Sequence, residues 1–88
     1  MILDLISLRN KKVGFWMPPV VNQARTDEDL IESYRRALAS GVNVGNHSEE
    51  FEVYHVASFD DKTGDVNVCP KPIFIVSLDQ LMPKKESN

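Results

Sequence analysis

One stretch of this chain carries a full set of helix signals, and the stretches on either side of it alternate as strands do. Leu30, Ile31, Tyr34, Ala37 and Leu38 recur at i, i+1, i+4, i+7 and i+8, which stacks them on one helical face. Thr26 stands where an N-cap belongs, and Asp27, Glu28 and Asp29 put negative charge where the helix dipole favours it. Gly41 can take the left-handed position just past the end. The spacing predicts one helix at about 27–40. A chain of 88 residues with a single amphipathic helix must cover that helix with a sheet, so the pattern selects a small α+β domain.

The strands can be read on both sides. Ile2 to Leu8 is a leucine- and isoleucine-rich run with apolar residues on both faces, followed by a polar turn at Arg9-Asn10-Lys11-Lys12. Val13, Phe15 and Met17 then alternate with Gly14 and Trp16 until Pro18-Pro19, which is expected to end the pairing by removing two ladder donors. Gly41 to Glu50 is expected to be a loop. From Phe51 the chain alternates again, with Phe51, Val53, His55, Ala57 and Phe59 pointing one way and Glu52, Tyr54, Val56 and Ser58 the other. Asp60-Asp61-Lys62-Thr63-Gly64 supplies a hairpin turn, and Val66-Asn67-Val68 begins the return strand. Residues 73–76 read as a further short strand leading into a helical turn. The expected architecture is an antiparallel sheet of four or five strands in the order β-β-α-β-β, then a strand or short helix. Residues 1–82 form the domain and 83–88 a solvated tail.

The chemistry of the residues is spare. Ten Lys and Arg against thirteen Asp and Glu argue against bulk attraction to duplex DNA, yet the charge is polarised. Residues 1–44 carry six basic and five acidic groups, whereas residues 45–88 carry four and eight. The apolar start is broken by Asp4 and lacks a basic leader, so it reads as neither a signal peptide nor a membrane span. His47, His55 and Cys69 lack the paired spacing of a zinc site, and Asp60, Asp61 and Asp65 lack that of a calcium loop. A lone cysteine before a proline, with no cationic neighbour, reads as an inert thiol. No catalytic residue, metal or cofactor is expected.

Binding of single strands needs cations for phosphates and flat rings for bases. Arg9, Lys11 and Lys12 at one hairpin tip and Trp16 on the next strand are the candidates, and Arg35 and Arg36 on the helix extend that surface if the helix end packs near the tip; the alternative is that these charges only solubilise and that Trp16 is core. A helix covering Tyr54 and Val56 would leave Phe51, Val53 and Phe59 for self-association, which predicts a homodimer; the alternative is that residues 73–82 cover that face within one chain.

Taken in order, Lys12-x-Gly14, Trp16, Pro18-Pro19, Thr26-Asp27, His47-x-Glu49-Glu50-Phe51-x-Val53-Tyr54 and Phe59-Asp60-Asp61-x-Thr63-Gly64 make a pattern over residues 1–76. It resembles the small nonstructural protein of gokushovirus-type microviruses, phages with circular single-stranded DNA. Ser48, Phe51 and His55 stand where a proline, a tyrosine and an arginine are usual. The resemblance implies a non-capsid role in the cytoplasm of the infected bacterium, in single-stranded DNA synthesis or its handling before packaging. It implies no catalytic residues. The rival expectation is a dimeric adaptor that engages a host replication protein or a viral capsid or replication protein without touching DNA, which the acidic second half would suit.

Overall fold

A computed structural model describes residues 1–41 and 48–81. Strand β1 (Ile2–Asn10) and the two-residue β2 (Val20–Val21) precede helix α1 (Asp27–Ala39). A 3-10 turn (Ser48–Glu50) leads into β3 (Phe51–Asp60), then β4 (Val66–Ser77), and a second 3-10 turn spans Leu78–Leu81. The sheet is antiparallel throughout, in the order β2-β1-β3-β4, so the α+β class with one main helix is as expected.

Helix α1 forms where its signals lie. The Thr26 side chain accepts from the Asp29 backbone N–H at 3.1 Å, and three acids follow in the first turn. At the other end the Ser40 N–H reaches the Arg36 and Ala37 carbonyls, and Gly41 turns out of the helix at φ +84. The helix lays Leu30 and Leu38 on one side of the sheet, against Ile6 and Leu8 of β1, Phe51 and Val53 of β3 and Val76 of β4. Leu78 and Leu81 close the cluster from the C-terminal turn. Each such side chain contributes roughly 1.5–3 kcal/mol by leaving water.

The first hairpin differs from expectation. β1 continues through Arg9 to Asn10, because the Asn10 side-chain oxygen accepts from the Lys12 and Val13 N–H groups and moves the turn to residues 11–13. The return run is not a full strand. It is held by the Arg9–Trp16 bridge, by Asn10 N–H to the Phe15 carbonyl and by Met17 N–H to the Leu8 carbonyl, each bond 2.8 Å. Pro18-Pro19 does not end the pairing either, since the prolines remove donors only at their own positions. Val20 and Val21 rejoin β1 opposite Ile6 and Leu5.

The second half also departs in detail. Ser48–Glu50 is a 3-10 turn rather than loop, while the expected loop at 42–47 and the expected tail at 83–88 lie outside the described residues. The 60–64 turn forms as expected, with Gly64 at φ +79 and the Asp60 side chain accepting from the Lys62 N–H. Residues 66–68 and 73–76 are not separate strands but one edge strand, β4, which tolerates Pro70 and Pro72 because an edge needs donors on one side only. The helical turn expected after residue 76 is the one at Leu78–Leu81.

Candidate nucleic-acid interface

A β-bulge decides which side chains face away from the helix. Leu5 pairs with Ala57 and Ile6 with His55, so Val56 is an extra residue on β3 and the alternation changes phase there. Before the bulge, Tyr54 lies opposite Ser7. After it, Ala57 and Phe59 lie opposite Leu5 and Leu3. Directly opposed residues share a face, and Ile6 and Leu8 belong to the core, so Leu3, Leu5, Ser7, Arg9, Tyr54, Ala57 and Phe59 all belong to the helix-free face.

This phase change corrects the expected self-association surface. Phe51 and Val53 are 5% and 0% exposed, covered by the chain's own helix and C-terminal turn. Phe59, read as their neighbour by strict alternation, lies on the opposite face. The helix covers the Phe51 and Val53 side, not that of Tyr54.

On the helix-free face three rings form a row across three segments. Trp16 meets Tyr54 at a centroid distance of 5.0 Å, and Tyr54 meets Phe74 at 5.6 Å, both edge to face. Trp16 is 42% and Phe74 50% exposed. The Arg9 guanidinium carbon lies 5.7 Å from the Trp16 ring centroid, within range of a cation–π contact. Tyr54 donates its hydroxyl to Glu52 Oε1 at 3.1 Å, and Glu52 stands opposite Arg9 across the strands. Burial, with the Glu52 acceptor and its charge, raises the Tyr54 hydroxyl above its ordinary value. The row therefore offers ring faces, one cation and one carboxylate.

Of the six residues read from the sequence, the structure joins Arg9 and Trp16 and separates others. Lys11 is engaged at the C-terminal turn, its Nζ 3.2 Å from Ser77 Oγ, which stands opposite Glu52, and 3.6 Å from Asp79 Oδ2. The Ser77 hydroxyl, which also donates to Asp79, and then Lys11 hold that carboxyl below its usual range. Lys12 is exposed in the 11–13 turn. Arg35 and Arg36 both pair with Glu32, at 2.8 and 3.3 Å, on the helix that covers the other face. Arg35, then Arg36, holds the Glu32 carboxyl below its usual range. Their charge is thus shared with Glu32 rather than free for a phosphate. Trp16 is not core: it is exposed, as is its neighbour Phe15, whose ring meets Phe51 rather than the Tyr54 row.

Sequence reasoning missed Tyr54, Phe74 and Glu52. Two of them are aromatic strand residues, but their adjacency depends on register. Tyr54 pairs with Phe74 only because Ile75 is skipped between Phe74 and Val76.

Among the described residues no group of three or more His, Cys, Asp or Glu could hold a metal ion. Among them also, no helix is long and apolar enough to cross a membrane. The family model for the Phage ORF5 protein matches residues 3–81, from β1 to the last 3-10 turn. No curated protein and no solved structure matches the chain.

Proposed function

The chain belongs to the Phage ORF5 protein family, and from that premise we propose that it is a nonstructural protein binding single-stranded DNA through the helix-free face of its sheet. The Trp16–Tyr54–Phe74 row carries this reading. Stacking on an aromatic ring is worth about 1–3 kcal/mol per base, and it needs bases that are not already stacked in a duplex. Arg9 is placed to take a neighbouring phosphate. Lys12 supplies a second cation at the turn, while Lys11, Arg35 and Arg36 already have carboxylate partners. A surface with few free cations on a chain of net charge −3 binds single strands weakly and duplex hardly at all.

The biological setting proposed with it is that of a gokushovirus-type microvirus. The protein would act in the cytoplasm of the infected bacterium, during viral single-strand synthesis or the handling of that strand before packaging, with no catalytic step and no cofactor. Self-association is part of the proposal. It moves from Phe51 and Val53 to the aliphatic end of the helix-free face, where Phe59 lies with the more exposed Val66 and Val68.

Fluorescence anisotropy with a labelled single strand at low salt tests the reading. Saturable binding that Arg9→Glu weakens, with a matched duplex bound far less, is the expected result. No binding, or binding indifferent to Arg9→Glu, removes it. The adaptor reading is favoured by the acidic second half, and capture from infected cells with and without nuclease separates the two. A partner lost on nuclease treatment supports DNA binding, and one retained supports the adaptor.

A further inference from the structure

A carboxylate stands beside the aromatic row, where a surface serving only phosphates gains nothing from one. Glu52 lies directly opposite Arg9, and the Tyr54 hydroxyl holds its Oε1 at 3.1 Å. Tyr54 is in turn the middle ring of the row, 5.0 Å from Trp16 and 5.6 Å from Phe74. The carboxylate is therefore anchored next to both stacking platforms. An ionised carboxylate only accepts hydrogen bonds, with about four acceptor positions, of which the Tyr54 hydroxyl fills one.

Nucleobases differ in what they show such a group. Cytosine, adenine and guanine carry an exocyclic amine, a donor, on the edge that would face Glu52. Thymine shows two carbonyl oxygens around a single N–H, so a carboxylate there meets like partial charge. A base stacked on this row is therefore read at its edge as well as its face.

Resting on the single-strand reading above, we infer that Glu52 is a specificity residue of this site, selecting bases with an exocyclic amine over thymine. Arg9, across the strand, takes the phosphate that follows. Cytosine against thymine is the cleanest comparison, because both are single-ring pyrimidines and differ chiefly in the group that Glu52 meets.

The test is anisotropy at low salt with labelled oligo-dC and oligo-dT of equal length, on the native chain, on Glu52→Gln and on Tyr54→Phe. The native chain is expected to bind oligo-dC at least about fivefold more tightly, the lower end of what one good base contact discriminates. In Glu52→Gln, whose amide both donates and accepts, the gap closes, and overall affinity does not fall because a negative charge has gone. Tyr54→Phe keeps the ring but frees the carboxylate, and narrows the ratio of oligo-dC to oligo-dT affinity. It serves as the second variant should Glu52→Gln fold poorly. Equal binding of the two oligonucleotides by the native chain, or a gap unchanged in both variants, overturns the role of Glu52 and leaves the stacking surface standing. Binding of neither overturns the single-strand reading itself, and the inference with it.

Discussion

Trp16 is the only tryptophan in the chain, and its position shows how far single residues can be read. Alternation with Phe15 and Met17 puts it on the opposite side from them, and this survives although the run forms only one bridge with β1. Phe15 turns to Phe51, Met17 packs against the core and Trp16 faces out. Trp16→Ala is expected to weaken single-strand binding by about 1–3 kcal/mol, with a much smaller effect on a urea melt, because the ring is already half in water. The basic residues were less legible. Side chains as long as Lys11 and Arg35 can reach in several directions, and their partners, Asp79 from far along the chain and Glu32 one turn back, decide where the charge goes. Lys11→Glu is therefore expected to weaken DNA binding much less than Arg9→Glu, as titrations of the two variants side by side would show.

At the scale of elements, local signals succeeded and phase failed. The helix and the 60–64 turn were legible because a cap, a dipole, an Asp side chain and a glycine act within a few residues of each other. The faces of β3 were not, because one extra residue at Val56 moves everything after it to the other side, and the sequence around Val56 carries no mark of it. Thr26→Ala, which removes the cap bond to Asp29, is expected to cost about 1 kcal/mol in urea unfolding without changing DNA affinity. The helix also carries a titration signature. Burial raises the Tyr34 hydroxyl above its ordinary value of 10.0. The folded chain therefore keeps this proton where the unfolded chain loses it. Stability is unaffected below pH 10.0 and falls as the pH rises past it. Thermal melts followed by circular dichroism should show that alkaline decline, and Tyr34→Phe should lessen it.

The whole molecule has two unlike sides. One is closed by the helix, whose arginines are paired with Glu32; the other carries a row of rings at one end and aliphatic side chains at the other, with Val68 75% exposed. The acidic total counts against phosphate binding in bulk, so base stacking has to carry the affinity. The logarithm of the binding constant should accordingly fall with that of salt concentration at a slope of only about −1, the mark of one or two phosphate contacts. The most direct measurement of the central claim is the intrinsic fluorescence of Trp16 during titration with an unlabelled single strand at low salt. Quenching that saturates, and that a duplex of the same sequence does not reproduce, is the predicted result. An indole signal unchanged up to about 100 μM strand, well above the range expected for a stacked site, would contradict it.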